Sequence, residues 1–458
     1  MERLRENLVV SLGNPLLDII ATVDSEFLEK YNLRPDNAVL MKDEHMSLYK
    51  ELEEKYNPDY IAGGSAQNTL RVCQWILQKP KIVTFFGCVG KDDYANILQE
   101  KATQDGLNVF YQYAIDAPTG TCAVLISNSH RSLCARLAAA IEFKIEHLQK
   151  PHNRELWENA RYFYTTGFFL AINPPAVMQI ARHAYDSNGT VMMNLSASFV
   201  MQEFKEALMA VMPYVKVLFG NGEEAKAFAR VHNWETKDLK VIGLRLVALD
   251  KENCEGERIV IITQASLPVL AFQGCTIKEY PVPKVNPEQV VDTTAAGDAF
   301  CGGFLAQYIQ NKNLDVCVHC GIWAASQIIQ HNGCTFEGKP TFREVRHLHI
   351  KPFRTLGSFD FDAGDHILVG SRNVFKVEEE EEDETTSLRN NNWSPERSLL
   401  KHRAKFQVIS NKCDRPSSYG SGNSRQLNNA AIITGTVHRS ADNHMTTMGI
   451  RGLQVSIK

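Results

Sequence analysis

The most informative segment of this chain reads Asp292-Thr293-Thr294-Ala295-Ala296-Gly297-Asp298-Ala299-Phe300-Cys301-Gly302-Gly303-Phe304-Leu305. Small residues end abruptly in an apolar run, which predicts the start of a helix with nothing bulky in front of it. The first N–H groups of a helix have no acceptor within the helix, so those of Ala295, Ala296 and Gly297 can point outward together. With the positive end of the helix dipole, they would form an anion hole for a phosphoryl group.

Asp298 lies at this same helix start. A carboxylate beside a phosphoryl group makes chemical sense if it accepts the proton of an attacking hydroxyl, as the base in phosphoryl transfer does. The plainer alternative is an N-terminal Asp that only complements the helix dipole. Because that alternative does not explain the rest of the segment, we interpret Asp298 as a catalytic base.

Composition restricts the class of protein. The chain has 458 residues, 44% of them hydrophobic, which is enough to bury a large core. Its formal net charge of −4 provides no basic field for a nucleic acid. Eleven cysteines are scattered through hydrophobic segments, which favours free thiols in the cytosol or nucleus. No run reaches the roughly 20 apolar residues of a membrane span, so we expect neither a membrane nor a nucleic acid as partner.

Up to about residue 345, short β-rich runs alternate with longer helical ones. This alternation predicts an α/β fold with a mostly parallel central sheet and helices on both faces. Two excursions, at about 19–64 and 109–138, would build a small lid, with surface decoration as the alternative. The predicted strands are 8–12, 81–86, 162–164, 191–195, 215–219 and 258–263, and the predicted helices are 66–78, 174–185, 204–211, 223–231 and 299–310.

The character of the chain changes after the predicted domain 1–345. The segment 346–458 contains an acidic run at 378–384 and stretches rich in Ser, Asn and Arg. Such a composition buries too little apolar surface to offset chain entropy, so we predict a disordered C-terminal extension. A docking role for the acidic run is the alternative.

The segment 292–305 resembles the second signature of the ribokinase-like (PfkB-type) family of sugar and nucleoside kinases. Further motifs resemble the members of that family that phosphorylate adenosine, and the resemblance extends from about residue 4 to 342. It implies a ribokinase-like fold and transfer of the γ-phosphate of ATP to the 5′-hydroxyl of adenosine, giving AMP in purine salvage. It also implies a monomer.

Two N-terminal motifs imply the residues that bind ribose. By resemblance, Asp18 in Gly13-Asn14-Pro15-Leu16-Leu17-Asp18 grips the ribose hydroxyls, with Asn14 beside it. Gly64, Ser65 and Asn68 of Gly63-Gly64-Ser65-Ala66-Gln67-Asn68 would also contact the ribose. Taken alone, these residues are ordinary turn and capping residues.

Residues of the second excursion are implied to meet the base and the phosphate. By resemblance, Cys122, Leu133 and Leu137 pack on the adenine, and Arg131 neutralises the transferring phosphate, a task that suits its fixed charge. Phe169 would offer the purine a flat face. On residue type alone, Arg131 is a solvated charge and Phe169 a core position.

Asn221-Gly222-Glu223-Glu224 resembles the Asn-x-x-Glu element of the family. The resemblance implies that Glu224, with Asn221, organises Mg²⁺ largely through water, as that ion prefers. An Asn at a helix start with Glu three residues later is also a capping box, and both roles can hold together.

Two residues depart from the family on the ATP side. Ala265 stands where a glycine usually lets the backbone approach ATP, and Ile322 replaces a histidine near the ATP adenine. Two rivals to adenosine phosphorylation stay open, and the departures motivate the second of them. One is a kinase of the same fold that acts on another nucleoside or a sugar, and the other is a catalytically impaired protein that binds adenosine.

Overall fold

The computed structural model describes residues 4–34, 38–127, 130–252 and 256–343, together with the backbone of five strands between 373 and 457. The strands up to residue 280 are β1 (Val9–Leu12), β2 (Leu16–Thr22), β3 (Ala38–Leu40), β4 (Asp59–Gly63), β5 (Val83–Val89), β6 (Asn108–Tyr113), β7 (Thr121–Ser127), β8 (His130–Arg136), β9 (Tyr162–Thr166), β10 (Thr190–Asn194), β11 (Val215–Asn221), β12 (Ile259–Gln264), β13 (Leu267–Gln273) and β14 (Thr276–Tyr280).

The helices are α1 (Ser25–Lys30), α2 (Leu48–Lys55), α3 (Ser65–Leu77), α4 (Asp93–Gln104), α5 (Glu146–Gln149), α6 (Pro151–Glu158), α7 (Gly167–Ile172), α8 (Pro174–Asp186), α9 (Ser198–Glu203), α10 (Lys205–Val211), α11 (Gly222–Val231), α12 (Leu239–Ala248), α13 (Ala296–Tyr308) and α14 (Leu314–Ile328). Within the described ranges, every helix is too short or too polar to traverse a lipid bilayer.

The main sheet has nine strands in the order β14-β13-β12-β11-β10-β9-β1-β5-β6. From β12 to β6 each strand is parallel to its neighbours, and β13 is antiparallel to β12. The strands and helices expected from the alternating pattern are all present, and the predicted α/β fold class is confirmed.

Helices cover both faces of this sheet. Successive side chains of a strand point to opposite faces, so Val10 and Phe86 belong to one core cluster while Val9 and Phe85 belong to the other. The first cluster takes its helical residues mainly from α7, α8, α10, α11 and α12, and the second from α3, α4, α13 and α14. Burial on both faces explains why the central strands read as continuous apolar runs.

The two excursions together form a second sheet, in the order β3-β8-β7-β2-β4. Residues of α1 and α2, such as Phe27 and Leu52, pack with Ile19 and Leu125 of this sheet in one cluster. Ile20 and Val124, which point the other way, form a separate apolar cluster that has no helical residue among its members. One face of this second sheet is therefore covered by α1 and α2, whereas the apolar cluster on the other face contains residues of strands only.

The C-terminal part of the chain is a separate compact unit, formed by Gly274–Thr276 and Phe353–Lys458. It contains β15 (Asn373–Glu379), β16 (Lys401–Ser410), β17 (Ala431–His438), β18 (Gly449–Ile450) and β19 (Gln454–Ile457). They pair in the order β15-β16-β17-β18, with β19 also on β17. These paired strands differ from the predicted disorder, because runs such as 431–438 are rich in β-branched residues although the segment as a whole is polar. The other residues of 346–458, including most of the acidic run, lie outside the described part, and disorder there stays a prediction.

Candidate active site

The predicted site residues come from segments far apart in the chain. Asn14 follows β1, Phe168 follows β9, and Asn221 ends β11, so all three lie at the carboxyl edge of the main sheet. In open α/β sheets this edge is where ligands bind. Asp298 lies in the first turn of α13, and Asp18 lies in β2 of the second sheet.

The carboxylate of Asp298 is held by two side chains of α3. Ser65 Oγ donates to Asp298 Oδ1 at 2.6 Å, and Asn68 Nδ2 donates to Asp298 Oδ2 at 3.2 Å. Each oxygen of the predicted base therefore has one donor and keeps a further lone pair for a proton. The segment predicted to bind ribose and the segment predicted to bind phosphate thus meet at a single carboxylate.

The pKa of Asp298 is raised to about 7, mainly by burial. The hydrogen bonds from Ser65 and Asn68 oppose this rise, and the negative field of Glu224 adds to it. A base works best when its pKa lies near the working pH, because it is then both available and able to accept a proton. The electrostatics of Asp298 therefore suit proton abstraction near neutrality.

Asp18 lies directly over the backbone of Gly63. A Cβ atom added to Gly63 would lie 2.3 Å from Asp18 Cγ, so only a glycine leaves room for the carboxylate. Burial raises the pKa of Asp18 to about 7, and Arg71 opposes this effect. The next residue, Gly64, has φ of +90°, a conformation that favours glycine, and α3 begins immediately after it.

Asn14 has a polar atom without a partner. Its Nδ2 donates to the carbonyl oxygen of Phe168 at 3.3 Å. Its Oδ1 is buried and has no hydrogen bond to any described residue. Because a buried acceptor without a donor is costly, Asn14 Oδ1 is well suited to accept a hydrogen bond from a ligand.

The three residues of the predicted anion hole differ in their backbone contacts and exposure. Gly297 is exposed, and an added Cβ atom would meet nothing within 4 Å, so a group can approach its backbone. Ala296 differs from the prediction because its N–H donates to Thr293 O at 3.1 Å in a turn that precedes the helix. Among the described residues, the N–H groups of Ala295 and Gly297 have no backbone acceptor, which leaves these two donors available to a ligand.

Asn221 and Glu224 form a reciprocal cap at the start of α11. Asn221 Nδ2 donates to Glu224 Oε1 at 2.7 Å, and the Asn221 N–H donates to Glu224 Oε2 at 3.0 Å. Glu224 is buried, and this burial raises its pKa. No group of three or more metal-binding side chains occurs in the described ranges. An ion bound here would take most of its ligands from water or substrate.

Three of the predicted lid residues lie close together in the second sheet. Cys122 is paired with Asp18 across β7 and β2, and Cys122 and Leu133 belong to the apolar cluster on the face away from α1 and α2. Leu137 is partly buried just after β8, and its carbonyl oxygen lies against Gly120. Arg131 lies in β8 opposite Ile126, and its side chain is outside the described part of the structure.

The prediction for Phe169 does not fit the structure. Its side chain is completely buried in the main core, where its ring packs edge-on against Phe143 with centroids 5.4 Å apart. A ring without exposed surface offers no open face to a purine. Phe168, the preceding residue in α7, is partly exposed and its ring lies 6.1 Å from that of Phe199. Adjacent residues of a helix point in different directions, so the aromatic side chain on the open side is Phe168.

Asp292 was not recognised as a functional candidate, although it begins the quoted segment. It is 2% exposed; Oδ1 accepts from the Thr294 N–H and Oδ2 from the Gly333 N–H, both at 2.9 Å. The side chain therefore fixes the loop before α13 to the loop after α14. The burial of Asp292 marks its importance for the site, and burial of a single Asp cannot be recognised from the sequence alone.

Ala265 and Ile322, the two residues that depart from the family pattern on the ATP side, lie in different structural environments. Ala265 has φ of +51°, in the left-handed region that favours glycine, at the turn between β12 and β13. Ile322 is buried in the core cluster that contains α13 and α14. Ala265 is therefore the departure with a visible conformational cost.

The pfkB family of carbohydrate kinases matches residues 35–341. This match spans well over half of the chain, and the chain therefore belongs to that family.

Several curated proteins that resemble this chain are adenosine kinases. Adenosine kinase 2 of Arabidopsis thaliana is 42% identical over 337 residues, which cover 74% of this chain and 98% of that protein. The adenosine kinase of Dictyostelium discoideum is 39% identical over 327 residues, covering 71% of this chain and 96% of that protein. The resemblance inferred from the motifs is thereby confirmed.

Solved structures give the same result. The crystal structure of Anopheles gambiae adenosine kinase in complex with P1,P4-di(adenosine-5) tetraphosphate is 54% identical, with a TM-score of 0.70, and the match covers 74% of this chain and 100% of that one. The adenosine kinase from Schistosoma mansoni in complex with adenosine in an occluded loop conformation is 33% identical, with a TM-score of 0.68, covering 73% and 98%.

Proposed function

We propose that this chain transfers the γ-phosphate of ATP to the 5′-hydroxyl of adenosine, giving AMP and ADP. The observation that carries the proposal is Asp298, a carboxylate with a pKa near 7 held by Ser65 and Asn68 beside the open backbone of Gly297. The adenosine kinases among its relatives supply the nucleoside that the geometry alone does not identify.

Each group has a distinct task in this proposal. Asp18 accepts the ribose hydroxyls, and the unpartnered Asn14 Oδ1 faces the nucleoside. Asp298 takes the proton of the 5′-hydroxyl as its oxygen attacks the γ-phosphorus, and the bond to the β,γ-bridging oxygen breaks. The N–H groups of Ala295 and Gly297 stabilise the charge on the transferring group, and Arg131 is proposed to act with them.

Mg²⁺ is the proposed metal cofactor. When bound, it neutralises the charge on the ATP phosphates. Glu224, capped by Asn221, fits an ion that keeps most of its own waters, because the described residues hold no denser cluster of ligands. The free thiols of the described cysteines support a reducing compartment, cytosol or nucleus, and we propose a monomer that serves purine salvage.

The test is AMP formation from adenosine and Mg·ATP by the wild type and by Asp298→Asn. We expect wild-type turnover that EDTA abolishes, and a loss of at least about 100-fold in kcat for the variant, because a positioned base contributes about that much or more. Asp238→Asn is the matched control, since Asp238 caps the start of α12 and is not part of the site. Adenosine binding without AMP formation by the wild type would refute the proposal.

A further inference from the structure

Arg71 is a buried cation two turns into α3. It is 4% exposed, and its Nε donates to Asp105 Oδ2 at 2.5 Å. Its Nη1 donates to Ala62 O at 2.5 Å and to Asn68 Oδ1 at 3.3 Å. The ring of Phe336 lies 5.6 Å from its Cζ atom. The guanidinium group is therefore fixed from several directions.

Asn68 links this cation to the proposed base. Its Oδ1 accepts from Arg71, and its Nδ2 donates to Asp298 Oδ2. An arginine only donates hydrogen bonds and a carboxylate only accepts them. If the amide were rotated by 180°, its NH₂ group would face the guanidinium and its oxygen would face Asp298. Both contacts would then be repulsive.

We propose that Arg71 is a positioning residue for phosphoryl transfer: by binding Asn68 Oδ1 it keeps the Asn68 amide nitrogen directed at the proton-accepting carboxylate of Asp298. The residue acts through Asn68 and touches no substrate. This inference rests on the proposed function, because it assigns to Asp298 the role of base.

The charge of Arg71 supports the same role. Burial and the fields of Asp292 and Asp298 raise the pKa of Asp18, and Arg71 is the cation that lowers it. By contrast, the hydrogen bonds that the buried Arg258 donates within the described part of the chain all go to backbone carbonyls, those of Val215, Leu246, Leu249, Met212 and Asp250. Arg258 therefore has purely structural contacts, whereas Arg71 contacts a side chain of the site.

The test is a double-mutant cycle on kcat with Arg71→Met, Asn68→Ala and the double variant. We expect each single variant to lower kcat by roughly 10- to 100-fold, part of the rate a positioned base supplies, with little change in the KM for ATP. The double variant should be no more than about threefold slower than Asn68→Ala, because residues in one network are not additive. Arg71→Lys, which keeps a donor and a charge, should recover most of the kcat lost in Arg71→Met.

Arg258→Lys is the control for loss of a buried guanidinium, and it should lower the Tm while leaving kcat unchanged. The kcat of each variant is calculated per folded molecule, with the folded fraction measured by circular dichroism. Multiplicative losses in the double variant, or an Arg71→Met protein with a lower Tm and wild-type kcat, would overturn the inference. If the wild type forms no AMP, the result would instead refute the proposed function on which this inference rests.

Discussion

Asp298 lowers the stability of the folded chain around neutral pH. Its pKa is about 7 in the folded state against an ordinary value of 3.8, so the folded state binds more protons between these limits. The free energy of unfolding therefore falls as the pH rises from about 4 through 7. We expect Asp298→Asn to have a higher Tm than the wild type at pH 8, with the difference vanishing near pH 4. Thermal unfolding followed by circular dichroism checks this, and equal Tm values at both pH values would contradict it.

The pH dependence of activity should report two carboxylates. Asp18 and Asp298 both have a pKa raised to about 7, mainly by burial. A neighbouring carboxylate also raises each pKa: Asp298 acts on Asp18, and Glu224 acts on Asp298. Both must be ionised in the free enzyme, so log(kcat/KM) for adenosine should fall with a slope approaching 2 below neutrality. In Asp18→Asn the limiting slope should be 1. A slope of 1 in both proteins would contradict this prediction, because protonation of Asp18 would then have no effect on kcat/KM.

Asp298 could be predicted from its residue type at a helix start, and Ser65 and Asn68 as site residues from the resemblance to the family. Their hydrogen bonds to Asp298, which lies 233 positions from Ser65, were not predicted. Side-chain direction was not predictable in the same way. The burial of Phe169, the turn that engages the Ala296 N–H and the loop contacts of Asp292 all depend on packing between distant segments. A single sequence carries no local signal for such contacts.

At the scale of elements, the site depends on the close approach of α3 and α13. Ser65 and Asn68 lie three residues apart, so they share one face of α3. A Cβ atom added to Gly302 of α13 would lie 2.6 Å from Thr69 O in α3, and one added to Gly303 would lie 2.5 Å from Cys320 O in α14. The paired glycines after Asp298 therefore let α13 pack tightly between two helices.

Substitutions at two glycines of α13 should affect different properties, one the stability of the fold and the other the catalytic rate. Gly302→Ala should lower the Tm by several degrees, because the new methyl group would overlap a backbone carbonyl and push α13 away from Ser65 and Asn68. Gly297→Ala should leave the Tm nearly unchanged, since its Cβ atom would meet nothing within 4 Å, but should lower kcat by occupying the space for phosphate. Thermal unfolding and steady-state kinetics measure both. A Gly302→Ala protein as stable as the wild type would contradict the packing argument.

The central strands were predictable because burial on both faces makes them continuous and apolar, as in β5, where every residue is buried. The second sheet was harder to predict. Its strands come from two excursions and pair across them, as β2 does with β7, so no local pattern gives their order.

At the scale of the whole molecule, chain 1–352 corresponds to the main compact unit apart from three residues, Gly274–Thr276. We expect a protein truncated after Pro352 to fold alone and to form AMP with kcat/KM within about twofold of the full chain, because an independent core needs no further segment. Truncation after Ile328 is the control and should abolish activity. It removes Ile329 O, which accepts from Val291 and Asp292, and the Gly333 N–H that binds Asp292. A large loss in the longer protein would assign a catalytic contribution to 353–458.

Asp18 belongs to the five-stranded sheet, whereas Asp298 begins a helix packed beneath the nine-stranded one. The proposed anchor for the nucleoside and the proposed base thus belong to two different layers of the protein. In the proposed reaction, a nucleoside bound to Asp18 would bring its hydroxyl to Asp298, whereas a water molecule would have no such second attachment. In the proposed reaction, this arrangement would favour transfer of the phosphoryl group to a nucleoside over its transfer to water.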